Sequence, residues 1–166
     1  MKKILLLAML LCSMPQFAQK TFEVYNFTSQ TVQLADIATK PSGATVYPEF
    51  HSKPSGLISI PPGGSYTLVN TANLYRFPLY SPSSSPVIPT WERLTSPSPG
   101  TNMASTAAWP LATSQVFKEL FFYVGSAYKS ISVTSPVVPL QPGGWQADYV
   151  EDNPAPNVWF YTIVIY

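Results

Sequence analysis

Eighteen prolines punctuate this 166-residue chain, and most stand between short apolar runs rather than inside them. Proline fixes φ and has no amide donor, so it breaks helix interiors and the ladders of central strands. A chain cut this often has little room for long helices. It has room for short strands joined by turns.

The runs carry the period of strands. Val32 and Leu34 alternate with Thr31 and Gln33, and Tyr66 and Leu68 with Ser65 and Thr67. Ile131 and Val133 alternate with Ser130, Ser132 and Thr134, and Trp145, Ala147 and Tyr149 with Gln146 and Asp148. Period-two alternation is the pattern of a strand with one buried face. Residues 116–124 and 158–166 are apolar or aromatic in both phases, which predicts strands central in a sandwich or covered on a second face. Only the Ala-rich stretch 102–108 suggests a helix. About eight to ten strands with regular turn signals predict an all-β, single-domain antiparallel β-sandwich, Ig-like or jelly-roll-like, with long Pro/Ser-rich loops. A membrane barrel would need eight strands of about 9–11 residues, and only the two long runs approach that length.

Two segments resemble each other, Ile60-Pro61-Pro62-Gly63-Gly64-Ser65-Tyr66 and Leu140-Gln141-Pro142-Gly143-Gly144-Trp145. Pro then Gly suits the central pair of a type II turn, with glycine taking the positive φ. Each is expected to launch a strand, and their spacing raises the idea of two half-domains. Residues 81–100 hold two Pro/Ser loops around a short piece containing Trp91, and predict a long irregular excursion from the sheet.

The amino terminus reads as an address. Lys2 and Lys3 precede an apolar run at 4–11, then a short polar stretch ends at Ala18. This is the layout of a secretory signal peptide and too short for a membrane span. Residues 1–18 are read as the signal and 19–166 as one domain, although Gln16, where a small residue is preferred, allows the cut to shift slightly. Cys12, the chain's one cysteine, lies inside the signal, and Met9-Leu10-Leu11 before it lack the small residue that lipoprotein processing needs. The expected location is exported and bacterial, in the periplasm or at the outer membrane or cell surface. Asn26-Phe27-Thr28 fits the N-glycosylation pattern, which in a bacterial protein is a chance match.

Roughly 148 residues after the signal are enough for one stable core without staples. Without Lys2 and Lys3 there are seven basic residues against eight acidic ones, a net charge of −1. No basic patch for nucleic acid is present, nor a transmembrane segment beyond the signal. Charged residues make up 10% of the chain, well below the ~25% of ordinary domains, which suits a protein held against a partner.

Catalytic patterns are sparse. His51 is the one histidine, read as a solvated loop residue, and no G-x-S-x-G elbow accompanies it. No cofactor is expected. Asp148, Glu151 and Asp152 form the one acidic cluster and are the metal candidates, though no calcium-loop pattern is met. Aromatic residues reach 14%, and Trp91, Trp145 and Tyr149 are the candidates for an exposed partner-binding face. Trp159, inside its apolar run, is assigned to the core. The expected function is a non-enzymatic binding protein, an accessory or plug-like subunit docking on an outer-membrane or cell-surface assembly such as a secretion or translocation complex. A carbohydrate-binding module using Trp and Tyr is the alternative, with a glycan as partner. A carboxylate-based hydrolase is the distant one.

Overall fold

The computed structural model describes residues 19–70, 76–155 and 158–166. The predicted signal and Cys12 lie outside them. The described residues form twelve strands: β1 (Gln19–Asn26), β2 (Val32–Pro41), β3 (Glu49–His51), β4 (Ile58–Ile60), β5 (Ser65–Asn70), β6 (Thr90–Leu94), β7 (Thr101–Ala104), β8 (Gln115–Val124), β9 (Ala127–Ser132), β10 (Val137–Gln141), β11 (Trp145–Ala155) and β12 (Val158–Ile165). One sheet runs β10-β11-β12-β1-β5. The other has seven strands in the order β7-β6-β3-β2-β8-β9, with β4 also pairing with β2. Both are open, with strand edges rather than barrel closure among the described residues. The fold is an all-β, sandwich-like single domain, as the alternation predicts.

The sheets meet through aromatic side chains. Phe22 of the five-stranded sheet lies 5.4 Å, centroid to centroid, from Phe117 of the seven-stranded one. Phe117 also meets Tyr149 at 4.9 Å, and Trp145 meets Phe122 at 6.1 Å. Each fully buried large side chain of this kind is worth about 1.5–3 kcal/mol of transfer free energy, so this seam is the main stabilising element.

Alternation holds in β5 and β11, where Tyr66, Leu68, Trp145, Ala147 and Tyr149 all point inward. Residues 116–124 and 158–166 occupy the predicted central places, β8 between β2 and β9, and β12 between β11 and β1. Their outward residues, however, are half-exposed rather than covered by a second surface. One pairing departs from the antiparallel expectation, since β1 lies parallel to β12. Strands from opposite ends of the chain need no hairpin between them, so nothing forces them antiparallel. The 102–108 expectation is half right: Ser105–Ala108 is a helical turn, but Thr101–Ala104 is strand β7 against β6.

The two Pro-Gly-Gly segments form the expected turns and do different jobs. Gly63 sits at φ +70°, and Gly64 N donates to Pro61 O at 2.9 Å. Gly143 sits at φ +107°, and Gly144 N donates to Gln141 O at 3.0 Å. The first carries the chain from β4 to β5, hence from one sheet to the other, while the second closes the β10–β11 hairpin within one sheet. They do not mark two half-domains.

Asn26 of the glycosylation-like triplet is fully buried. Its Nδ2 donates to Gln30 O and Ile60 O, and its Oδ1 accepts from Thr28 N and Oγ1. A side chain with every hydrogen-bonding position filled is a staple between β1 and the β4 turn, not a glycan acceptor.

Candidate functional site

The aromatic face expected around Trp91 is a correction. Trp91 is 0% exposed, and its indole Nε1 donates to Leu79 O at 2.6 Å. Residues 81–100 do not wander from the sheet, because β6 lies within them and pairs with β3 and β7. The preceding stretch packs Phe77, Leu79 and Ile88 into the core. Serine and proline residues there also bond to the sheet: Ser81 Oγ accepts from Val69 N, and Pro86 O accepts from Tyr66 Oη at 3.0 Å. Burial pushes the Tyr66 phenol up to about 12. Trp145 and Tyr149 are also buried, inward-facing on β11. None of the three presents its ring to solvent. Trp159, assigned to the core, is partly buried, in phase with the inward Tyr161 and Ile163 of β12, and packs against the core.

The acidic stretch is dispersed by its strand. Asp148 accepts from Tyr166 Oη at 2.6 Å, while Glu151 accepts from Tyr149 Oη at 2.8 Å. Among the described residues no group of three or more His, Cys, Asp or Glu side chains is placed to hold a metal ion. Near Glu151, Lys20 is buried and donates to Gln115 O at 2.9 Å. Burial brings its pKa down to about 8, against the opposing pull of Glu151.

The site that does form lies on the outer face of the seven-stranded sheet. A groove of about 480 Å³ is lined by Gln33, Asp36, His51, Phe121, Tyr123 and Tyr128, together with Lys53 and Leu57. Its aromatic wall follows from a hairpin. Gly125 and Ser126 join β8 to β9, with Gly125 at φ +58°, and this two-residue turn sets Tyr128 directly opposite Tyr123. Phe122 and Val124 point inward, so Phe121 and Tyr123 must point outward. The Tyr123 and Tyr128 rings are 4.8 Å apart, and Phe121 and Tyr128 are 6.1 Å apart with planes within 14°. Burial raises the Tyr128 pKa, helped by Tyr123, Asp36 and Glu119.

The polar wall follows from two bulges. Strict alternation from Val32 and Leu34 would turn Asp36 into the core. Instead Leu34 pairs with Phe122 and Asp36 with Phe121, leaving Ala35 as an extra residue on β2. That slip flips the phase, turning Asp36 outward beside Phe121 and Ile37 inward. A second bulge leaves Lys118 extra on β8, between the Ala38–Glu119 and Thr39–Phe117 pairs, and restores the original register.

His51 sits on β3 between two carboxylates, with Nδ1 2.7 Å from Asp36 Oδ2 and Nε2 3.2 Å from Glu49 Oε2. It is a largely buried strand residue, which corrects the solvated-loop expectation. Burial opposes its protonation, but the hydrogen bonds and charges of Asp36 and Glu49 more than offset that, so its pKa is raised. The carboxylates have further partners. Asp36 Oδ1 accepts from Lys53 N at 3.2 Å, and Glu49 Oε1 accepts from Lys118 Nζ at 2.7 Å. Lys53 Nζ lies 2.6 Å from Glu92.

Sequence reasoning missed this site because it weighed tryptophans and loops. The available signals were the parity of Phe121 and Tyr123 against Phe122, and Gly125-Ser126 between two alternating runs. The bulge at Ala35 has no such signal. Among the described residues no helix is long and apolar enough to cross a membrane. No protein-family model, curated protein or solved structure matches this chain.

Proposed function

We propose that this protein is an exported, non-enzymatic binding protein and that the groove beside Asp36 and Tyr128 is where it binds. One observation carries the reading: both ring nitrogens of His51 face carboxylates. A general base needs a free lone pair aimed at its substrate, and His51 has none to offer. The nearest hydroxyl in sequence, Ser52 Oγ, accepts from Ile37 N at 2.7 Å and belongs to the backbone scaffold. All four oxygens of Asp36 and Glu49 already accept hydrogen bonds or an ion pair. The aromatic and amide groups facing the groove suit recognition rather than bond breaking.

A thermal-shift panel of small polar ligands, run on wild type and on Tyr128→Ala, tests the reading. Stabilisation by a ligand in wild type that disappears in the variant supports it. Stabilisation that survives the substitution moves the site elsewhere, and turnover of nitrophenyl glycosides or esters overturns the non-enzymatic part.

A second reading, docking on an outer-membrane or cell-surface assembly, is favoured by a different surface. Val137 and Leu140 on edge strand β10, with Val150 on β11, are apolar and more than half exposed. Edge strands that leave apolar residues in water are candidates for pairing with another chain.

A further inference from the structure

Three groups facing the groove make no hydrogen bond among the described residues, the Gln33 amide and the phenols of Tyr123 and Tyr128. The charged groups that line the groove are matched. Asp36 faces His51, Glu49 faces His51 and Lys118, and Lys53 faces Glu92. The groove thus offers uncommitted neutral donors and acceptors without an uncompensated charge. Its apolar part pairs two nearly parallel rings, Phe121 and Tyr128 with planes 14° apart, with Tyr123 tilted 43° from Tyr128, and the three do not close into a cage.

Each property excludes a class of ligand. An anion would need an unpaired cation, and Lys53 and Lys118 are both engaged. A quaternary ammonium would need ring faces converging around it, and here Phe121 and Tyr128 lie within 14° of parallel. What remains is a ligand with a flat C–H face, hydroxyls around its edge and no net charge. Tyr128 is 52% exposed, so its ring is open to such a face. Its volume lies in the range of small-ligand sites.

We propose that the groove binds a neutral oligosaccharide. One pyranose ring stacks on Tyr128 and Phe121, and its hydroxyls bond to the Gln33 amide and the Tyr123 phenol. The Asp36–His51 pair bounds the site as a fixed polar wall. This proposal rests on the groove being the binding site, and adds the chemical class of what occupies it.

The test is an amide ¹H–¹⁵N titration of the mature protein with separate probes. These are neutral hexaoses of glucose, xylose, mannose and N-acetylglucosamine, a galacturonate hexamer, and phosphocholine. The expected result is that at least one neutral hexaose shifts the amides of Phe121, Tyr123 and Tyr128, with an affinity insensitive to salt. Tyr128→Ala should weaken it about tenfold, and Tyr128→Phe, which keeps the ring and loses the hydroxyl, only a few-fold. If the galacturonate hexamer or phosphocholine moves these amides and no neutral hexaose does, the ligand class is wrong while the groove remains the site. If a hexaose shifts amides elsewhere and Tyr128→Ala leaves its affinity unchanged, the groove itself is wrong. If no probe shifts any amide, the neutral-glycan proposal is overturned.

Discussion

Trp91 and Tyr128 are large aromatic residues on the same seven-stranded sheet, and they meet opposite fates. Trp91 follows a Pro/Ser-rich stretch and is completely buried. Tyr128 lies in a strand of ordinary composition and is half exposed. Loop composition therefore does not decide which aromatic meets solvent. What decides is the phase of the strand and what the neighbouring chain lays over it. The segment before Trp91 folds back and covers it with Leu79, whose carbonyl takes the indole hydrogen. The β8–β9 hairpin turns its outward rings toward the opposite side of the sheet from the core, where Tyr128 is 52% exposed.

The largest effect tests the buried member. Trp91→Ala removes a fully buried ring and strands the Leu79 carbonyl, so it should cost about 3–5 kcal/mol. Urea denaturation reads this from the midpoint at constant m-value. A loss below about 1 kcal/mol would mean that Trp91 is peripheral and would erase the contrast with Tyr128.

How far the sequence reaches follows the same divide. Period-two patterning placed β2, β5 and β11, and continuous apolar runs placed β8 and β12, because hydrophobic phase and burial are the same quantity read twice. The Pro-Gly-Gly turns were legible because positive φ at Gly63 and Gly143 has one cheap solution. The site was less so. Asp36 belongs to the groove only because Ala35 is an extra residue against β8, and nothing local in Leu34-Ala35-Asp36 announces a bulge. The His51 surroundings are likewise long-range, joining β2, β3 and β8 through residues far apart in the chain. Trp91 misled because covering by residues 77–89 is a tertiary event.

A smaller effect is expected where the two regions share a wall. Asp36 takes a hydrogen bond from the Lys53 amide and faces the His51 ring. Asp36→Ala should cost about 1–3 kcal/mol, the loss of charge-assisted bonds at a buried site. Calorimetry checks it, and a neutral result would show that the polar wall of the groove is not part of the fold's support.

The pH dependence is subtler. The His51 pKa is raised in the folded state by Asp36 and Glu49, burial notwithstanding. The folded state then holds the proton more tightly than the unfolded chain, so the stabilisation is fully present below about pH 6.5. It is lost as pH rises through the folded-state value. Melting temperature should therefore fall as pH rises above about 6.5, and His51→Gln should flatten that slope. A wild-type slope of the opposite sign would mean that burial outweighs the two carboxylates.

The smallest effect belongs to Tyr128 and completes the comparison. Its ring touches Tyr123 and Phe121 but supports nothing beneath it, since the inward residue of its strand is Ile131. Surface substitutions away from caps, cavities and buried networks usually stay within about 0.5 kcal/mol. Tyr128→Ala should therefore leave the denaturation midpoint almost unmoved, in contrast to Trp91→Ala on the same sheet. A cost of 2 kcal/mol or more would make the aromatic wall a structural element whose rings hold the β8–β9 hairpin together. An unchanged midpoint leaves ring exposure without a folding purpose, and that is the condition under which an uncovered row of aromatics is best explained by what it binds.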